Sequence, residues 1–377
     1  MLSLKRFTGL VFVVAALVAL SFFLNASCTK SSRIIKIGAI LALSGDAAKY
    51  GQSCKNGIDL AVSMVNAHGG VQGKTIEILY EDSEAQPSKA LSAFQKLVTI
   101  SQVPAILGPM SSSEVLAVAP RAEREHVVVL TPTASAASIS SAGDFVFRNV
   151  ASDIYEGTEM AKFSRTQLNL SRAAIIYVNN DFGIGLKDAF TSCFVELGGT
   201  ITNTQAFDQE ATDFRSQLDK ARLGAPDAFY IVGYKEMARL FRQVTEKGIH
   251  CQFLSFSMFE DPEIMKNSTQ LDKGVYFTSQ ATGLESNDTL VTLFKEQFSA
   301  RFGSDPDLFA GLSYDASNIL IRAFGQGGTT SESIKKALYA TRSFHGVTGN
   351  TTFDSNGDVI KPIAIKKFER GELTIVK

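Results

Sequence analysis

Short apolar segments rich in β-branched residues alternate with longer amphipathic segments along the chain from residue 34 onwards. This alternation is typical of parallel sheets whose strands are joined by crossover helices. The first series predicts strands at 34–41, 75–81, 104–108 and 127–132, with helices at 52–67, 88–100 and 113–125. The sequence therefore predicts an α/β fold.

The same pattern starts again after the segment 145–150. The second series predicts strands at 173–178, 200–207, 228–233, 252–257 and 274–279, helices at 153–168, 184–197, 213–223, 235–247, 287–302 and 308–325, and a final β-rich run at 360–368. One hydrophobic core rarely organises a chain of 377 residues. We therefore expect two doubly wound, Rossmann-like lobes. No repeat or long linker separates them, which favours lobes joined by short crossings.

The first residues differ in character from the rest of the chain. Lys5 and Arg6 precede an uncharged apolar run from residue 9 to 24, which ends in small residues before Cys28. Residues 1–27 therefore resemble a signal peptide, and Cys28 is a candidate lipidation site followed by a polar tether to residue 33. Asn25 departs from the usual lipoprotein pattern, so ordinary cleavage and an uncleaved anchor remain alternatives.

The spacing of the cysteines and histidines and the net charge of the chain argue against several classes of function. Cys54, Cys193 and Cys251 follow no metal-ligand spacing, and the four histidines form no cluster, so we expect neither a metal site nor a cofactor. Buried free thiols are the default, with a Cys193–Cys251 disulfide as the alternative. The formal net charge of −1 gives no reason to expect a nucleic-acid partner.

Ligands of parallel α/β sheets bind beyond the carboxyl ends of the strands, in the loops that lead into helices. The loop GPMSSSE places Ser111 and Glu114 at the spacing of a capping box, which leaves the Ser112 hydroxyl and N–H available. A carboxylate there could accept hydrogen bonds from Ser112 and from Thr133 or Ser135 of the next loop. Alternatively, these residues only cap helices and shape turns.

A set of segments in fixed order resembles a known family. The segments are LALSGDAAKYGQSCKNGIDLAVSMVNAHGG, ILGPMSSSEV, VLTPTASA, YVNNDFGIGLKDAF, GYKEMARLFRQ and the late YDA at 314–316. They resemble the branched-chain amino-acid binding proteins of bacterial ABC transporters over nearly the whole chain after residue 33.

The resemblance implies a type I periplasmic binding fold, in which three hinge crossings join the lobes. With crossings near residues 150, 278 and 345, lobe 1 would contain 34–149 and 279–344, and lobe 2 would contain 150–278 and 345–377. The resemblance also implies a monomeric, non-enzymatic solute-binding protein, in the periplasm or lipid-anchored at the outer face of the cell membrane. Its partners would be a small ligand and the permease subunits of an ABC transporter.

Site residues follow from the matching positions. Ser112, Thr133 and Ser135 would hold the ligand's carboxylate, and the Thr133 carbonyl would accept from its amine. Tyr50 would line the wall of the first lobe, and Phe182 and Tyr234 would cover the ligand's side chain from the second. The alternative for these aromatic residues is ordinary core packing.

One departure from the family concerns the ligand's amine. The family's amino-acid binders place a carboxylate at the position that Ser257 occupies here, although Glu260 is nearby. A buried ammonium without a partner costs several kcal/mol. We therefore weigh two ligand classes: amino acids, with Glu260 as the amine's partner, and amine-free compounds such as carboxylic acids, amides and urea-like molecules.

Two further functions compete with transport. The nearest dinucleotide fingerprint, at 183–188, has Asp188 where Gly or Ala is required, and no GxxxxGK[ST] or GxSxG motif is present. An enzyme is therefore disfavoured. A sensing receptor of the same fold would need an output element, and none follows the binding region in this sequence.

Overall fold

The computed structural model describes residues 34–279, 283–284, 286–359 and 361–376. The predicted signal peptide, Cys28 and the tether lie outside the described residues. None of the described helices combines the length and apolar character needed to cross a membrane.

The first sheet is parallel throughout. Its strands are β1 (Ile34–Leu41), β2 (Thr75–Asp82), β3 (Ala105–Leu107), β4 (Val128–Thr131) and β5 (Val146–Arg148), and the helices between them are α1 (Ala48–Ala67), α2 (Pro87–Thr99) and α3 (Ser112–Glu125). The strands lie in the order β2-β1-β3-β4-β5. Because the order reverses beside β1, a crevice opens there at the carboxyl ends of the strands.

The second sheet repeats this arrangement. Its parallel strands are β6 (Arg172–Val178), β7 (Thr200–Phe207), β8 (Ala228–Val232), β9 (Gln252–Ser255) and β10 (Val275–Ser279), and its helices are α4 (Asp153–Thr166), α5 (Asp181–Glu196), α6 (Arg215–Ala221), α7 (Glu236–Glu246) and α8 (Pro262–Ser268). Phenylalanine side chains from both layers fill the core of this lobe.

The remaining elements are divided between the lobes. They are α9 (Thr289–Phe302), α10 (Leu308–Gly327), α11 (Ser331–Tyr339), β11 (Phe344–Gly346), β12 (Gly349–Thr351), β13 (Ala364–Glu369) and β14 (Glu372–Ile375). The helices α10 and α11 cover one face of the first sheet together with α1, while α2 and α3 cover the other face. By contrast, β13 pairs antiparallel with β10 and extends the second sheet, with β14 at its edge.

Side-chain caps explain where several helices begin. Asn180 accepts a 3.0 Å hydrogen bond from the backbone N–H of Gly183 at the start of α5. Asp307 accepts one of 2.9 Å from Ala310 at the start of α10. Because each cap satisfies a backbone donor that the helix leaves unpaired, these short polar residues determine the first turn.

The chain passes between the lobes in three places: between Arg148 and Asp153, after Ser279, and between Val359 and Ala364. The third crossing lies later than the expected position near residue 345. Phe353 and Val359 are buried in the core of the first lobe, and the Gly357 carbonyl accepts a 3.0 Å hydrogen bond from the backbone N–H of Arg148. The segment 344–359 therefore belongs to the first lobe.

Most predicted strands and helices are found within a few residues of their expected bounds. Two differences concern the site: α1 starts four residues earlier than predicted, at Ala48, and β9 ends at Ser255 because the chain turns into a short 3-10 helix, Ser257–Glu260. The short helices α8 and α11 were not predicted.

Candidate functional site

The carboxyl ends of strands from both sheets face each other across one space, which we call the interlobe cleft. Loops after β1, β3 and β4 border it from the first lobe, and loops after β6, β8 and β9 border it from the second. Across this space the Ser113 hydroxyl donates a 2.8 Å hydrogen bond to Asp181, the first residue of α5. The two lobes are thus in contact, in a closed arrangement.

The capping box predicted at the start of α3 is confirmed. The Ser111 side chain accepts from the Glu114 N–H, and the Glu114 carboxylate accepts from the Ser111 N–H at 3.0 Å. The next residue, Ser112, is 3% exposed, and its hydroxyl oxygen accepts a 3.1 Å hydrogen bond from the backbone N–H of Ala136. Its hydroxyl proton thereby remains available for an acceptor such as a carboxylate.

The loop after β4 carries Thr133 and Ser135 beside this helix end. The Thr133 hydroxyl donates a 2.8 Å hydrogen bond to the Met110 carbonyl, so toward a ligand its oxygen acts as an acceptor. The Ser135 carbonyl accepts from the backbone N–H of Asp153 at 2.8 Å and from the Arg148 guanidinium at 3.0 Å. Ser112, Thr133 and Ser135 are therefore brought together at one end of the cleft.

Arg148 fixes the shape of this loop from below. Its side chain is fully buried, and its Nη1 also donates to the Ala136 carbonyl at 2.9 Å. Its Nε lies 2.6 Å from the carboxylate of Asp358, which precedes the third crossing. A buried guanidinium with this many acceptors holds the loop rigidly, because each lost partner would leave a desolvated charge.

Aromatic side chains lie at the border of the cleft, and of these Phe182 also belongs to the hydrophobic core of the second lobe, with Tyr234 packed against that core. Tyr50 of the first lobe lies with its ring centroid 4.8 Å from that of Phe309, and its hydroxyl lies 3.4 Å from Asp261 of the second lobe. In the second lobe the ring of Phe182 stacks on that of Tyr234 at 5.1 Å. Burial raises the pKa of both tyrosines, so each hydroxyl stays protonated and can donate a hydrogen bond.

Ser257 and Glu260 lie in the 3-10 helix after β9, and each has partners within the protein. The Ser257 hydroxyl donates to Glu156 at 2.9 Å. The Glu260 carboxylate lies 2.7 Å from Nζ of Lys366, a fully buried side chain on β13, and accepts from the Ser279 hydroxyl at 2.7 Å. In this arrangement Glu260 stabilises a buried lysine at the second crossing.

Two acids that the sequence reasoning did not select lie at the floor of the cleft. Asp153 and Glu156, hereafter the acid pair, occupy the first turn of α4 and are 1% and 2% exposed. Burial raises the pKa of Asp153 to about 8; to a smaller extent the Ser135 hydrogen bond and Arg148 lower it and the charge of Glu156 raises it. Two acids placed three residues apart directly after a crossing are the signal that could have identified them.

Oppositely charged residues of the two lobes pair at the rim of the cleft. Lys235 lies 2.5 Å from Asp46, and Lys49 lies 2.8 Å from Asp261. A cavity of about 170 Å³ lies beneath these pairs and is lined by Asp46, Lys49, Tyr50, Lys235, Asp261, Glu263 and Ile264. The outer part of the cleft is therefore polar.

The remaining sequence expectations concern thiols and metals. Cys54, Cys193 and Cys251 are free and buried, so the alternative of a Cys193–Cys251 disulfide is wrong. Burial raises the pKa of each thiol, which keeps it protonated and unreactive. Within the described residues, no group of three or more His, Cys, Asp or Glu side chains could hold a metal ion.

Comparisons with known proteins agree with this geometry. The leucine-, isoleucine-, valine-, threonine- and alanine-binding protein of Pseudomonas aeruginosa is 25% identical over 340 residues, which is 89% of each chain. A leucine-binding protein from Thermotoga maritima has a TM-score of 0.84 at 28% identity, covering 91% of this chain and 98% of that one. The branched-chain amino acid transporter substrate-binding protein of Streptococcus pneumoniae, solved with isoleucine, has a TM-score of 0.83 at 28% identity, covering 91% and 99%.

The family model described as periplasmic binding protein matches residues 34–372. This range includes both sheets, the crossings and every loop that borders the cleft. The predicted fold class, two doubly wound lobes of the type I periplasmic binding arrangement, is confirmed. The chain belongs to the periplasmic binding protein family.

Proposed function

We propose that this protein is the extracytoplasmic solute-binding component of an ABC importer, and that it captures a small amino acid, branched-chain or related, in the interlobe cleft. The observation that carries the proposal is that two kinds of surface face each other across the cleft. The loops that carry Ser112 and Ser135 lie on one side, and the stacked pair of Phe182 and Tyr234 lies on the other. One lobe supplies hydroxyl groups and a helix N-terminus, and the other supplies apolar rings.

The hydroxyl end of the cleft suits a carboxylate. The Ser112 hydroxyl accepts a hydrogen bond from Ala136, so its proton can still be donated to a carboxylate. The first turn of α3 adds the partial positive charge of its backbone N–H groups. The stacked rings of Phe182 and Tyr234 suit an apolar side chain. These features together favour a molecule with a charged end and a short apolar body.

The closed arrangement suits delivery to a transporter. A ligand that contacts both lobes stabilises the closed form over the open one, and a membrane partner can bind one form in preference to the other. We propose the permease subunits of an ABC importer as that partner. Export through the segment 1–27 and lipidation of Cys28 complete the proposal, since attachment to the membrane would keep the protein near the permease.

Isothermal titration calorimetry with the purified protein, freed of carried-over ligand by unfolding and refolding, tests the proposal. We expect binding of leucine, isoleucine, valine or alanine, with affinity reduced about 10- to 100-fold in Ser112→Ala because a hydrogen bond to a charged group is lost. Ser92→Ala, which changes an exposed serine of α2 whose hydroxyl donates to the Ser88 carbonyl of the same helix, is the matched control. Failure of every small amino acid and related carboxylate to bind would overturn the proposal.

A further inference from the structure

Ser257 lies in the 3-10 helix after β9, and a carboxylate lies directly behind it. Glu156 accepts hydrogen bonds from the Ser257 N–H at 3.1 Å and from the Ser257 hydroxyl at 2.9 Å. It also accepts from the hydroxyl of Thr278, on β10. Negative charge is therefore present at this place, supplied by α4.

The contact with Glu156 determines which hydrogen bonds Ser257 can form with a ligand. A hydroxyl group has one proton, and that of Ser257 is directed to Glu156. Its oxygen therefore presents lone pairs, so Ser257 acts as an acceptor toward the cleft. Because its proton is held by a carboxylate, this oxygen is more negative than that of an ordinary serine.

The second member of the acid pair has an oxygen without a protein partner. Among the described residues, Oδ2 of Asp153 is buried and has no hydrogen-bond partner. A β-carbon placed on Gly185, the fifth residue of α5, would lie 3.3 Å from this oxygen and 3.8 Å from the backbone nitrogen of Ala137. The oxygen thus lies between the first-lobe loop and the second-lobe helix, at the floor of the interlobe cleft.

Buried polar atoms are rarely left unpaired in folded proteins, and one such atom in a cleft indicates a ligand group. A buried carboxylate oxygen selects a hydrogen-bond donor, and a donor that carries positive charge binds it more strongly than a neutral one. An acid without an amine offers no N–H donor to this oxygen, and an amide or a urea offers a donor that carries no positive charge. The arrangement therefore favours a ligand with an ammonium group over the amine-free compounds that the sequence left open.

We propose that the acid pair supplies the partner of the ligand's ammonium group, Asp153 directly through Oδ2 and Glu156 through the hydroxyl of Ser257. The ligand class is then that of amino acids with a free α-amine. The proposal gives no role to Glu260, whose Oε1 already accepts from Lys366 and Ser279. This inference rests on the proposed function, because it concerns the same cleft.

A difference in proton balance accompanies binding. Ionisation of Asp153 is opposed by burial and by the charge of Glu156, and is favoured by the Ser135 hydroxyl and by Arg148; Tyr230 and Tyr234 also lie near enough to be affected by its charge. An ammonium at Oδ2 converts the protonated carboxyl to a carboxylate and releases its proton to the solvent. A ligand without an amine leaves that proton in place.

Calorimetric titration of the whole protein with L-leucine and with 4-methylpentanoate, which differ only in the amine, tests the inference. We expect wild type to prefer leucine by about 30-fold or more, and Asp153→Asn and Ser257→Ala each to reduce that preference about tenfold. Glu159→Gln, which removes a carboxylate one turn further along α4, should retain it. Titration in two buffers with different ionisation enthalpies should show proton release with leucine at neutral pH, and none in Asp153→Asn.

The outcomes separate this inference from the proposed function. Equal binding of leucine and 4-methylpentanoate by wild type would overturn the inference and leave the import function intact. Retention of the full leucine preference in both Asp153→Asn and Ser257→Ala would also overturn it. Absence of binding by either compound, and by the matching pairs for isoleucine, valine and alanine, would overturn the proposed function and this inference with it. Should Asp153→Asn fail to fold, Ser257→Ala alone decides.

Discussion

Glu156 accepts two hydrogen bonds from Ser257, a residue 101 positions later in the chain. The contact joins the first turn of α4, which follows the first crossing, to the turn after β9. Thr278 adds a third hydrogen bond from the strand that leads into the second crossing. The carboxylate therefore connects the ligand-facing surface of the second lobe to two of the connections between the lobes.

This contact predicts an unequal effect of two serine substitutions. Ser257→Ala removes a hydrogen bond to a buried carboxylate and should lower the free energy of unfolding by about 1.5–3 kcal/mol. Ser255→Ala, at the end of β9, removes a hydrogen bond to the carbonyl of Ile231 and should cost about 0.5–1.5 kcal/mol. Urea unfolding followed by circular dichroism measures both. Equal losses would argue against a charged acceptor at Ser257.

Asp153 predicts a pH-dependent stability of the ligand-free protein. Its pKa in the folded state is about 8, above the ordinary value of 3.8, so the folded chain holds a proton that the unfolded chain has lost. The contribution of this group to stability is therefore present at low pH and is lost as the pH rises from about 4 to about 8. Asp153→Asn removes this effect. The melting temperature of the variant, relative to that of wild type, should therefore rise between about pH 5 and about pH 9.

For a chain of this size, each 1 kcal/mol corresponds to roughly 2–4 °C in melting temperature, which a thermal scan resolves. The exposed carboxylate of Asp208, substituted by Asn, provides the control. The melting temperature of this control should differ from that of wild type by the same amount at about pH 5 and at about pH 9. A constant difference for Asp153→Asn as well would contradict the assignment of a buried, protonated carboxyl at this site.

The ion pairs at the rim predict an effect on ligand release. Lys235–Asp46 and Lys49–Asp261 join the lobes, but their lysines are 40% and 62% exposed. Exposed pairs contribute only about 0–1 kcal/mol each, so folding stability should change little. The double substitution of both lysines by glutamine should nevertheless raise the rate constant of ligand dissociation about 2- to 10-fold.

Stopped-flow measurement of intrinsic tyrosine fluorescence is suited to this test, because the chain has no tryptophan. The effect of salt on the dissociation rate should be smaller in the double variant than in wild type. Lys89→Gln, which breaks a pair with Glu84 inside the first lobe, should release ligand at the wild-type rate. Equal rates in all three proteins would show that the rim pairs do not hold the lobes closed.

The position of Gly185 predicts that a substitution there weakens ligand binding without lowering the stability of the ligand-free protein. A β-carbon there would approach Oδ2 of Asp153 to 3.3 Å, which is closer than ordinary contact. Gly185→Ala should therefore weaken ligand binding about tenfold, while the helical preference of alanine maintains or raises the stability of the ligand-free protein. In α10, Gly325→Ala meets only Val71 at 3.7 Å and should leave binding unchanged. Wild-type affinity in Gly185→Ala would contradict the close approach of α5 to the acid pair.

Local signals in the sequence were sufficient for the fold and for half of the cleft. Apolar periodicity located most of the strands and helices, since each needs only its own residues to reveal it. The capping box of Ser111 and Glu114 fixed the start of α3, and hence the position of Ser112. These features depend on residues within one or two turns of each other.

Features that depend on distant pairing could not be predicted. The approach of Glu156 to Ser257, and of Lys366 to Glu260, follows from how α4, β10 and β13 pack together. The third crossing was misplaced for the same reason. The hairpin at 344–351 is short and its assignment to a lobe depends on Phe353, Val359 and Gly357 contacting the first lobe.

Arg148 holds the loop of Ser135 and Ala136 on one side and Asp358 on the other. During the divergence of related sequences, a change in this loop would have to be matched by a change in the segment before the third crossing. A change at Tyr50, Phe182 or Tyr234 would not require a matching change in that segment. We therefore expect relatives of this protein to acquire new ligand preferences by exchanging Tyr50, Phe182 and Tyr234, while the floor beneath Ser135 is inherited as a unit.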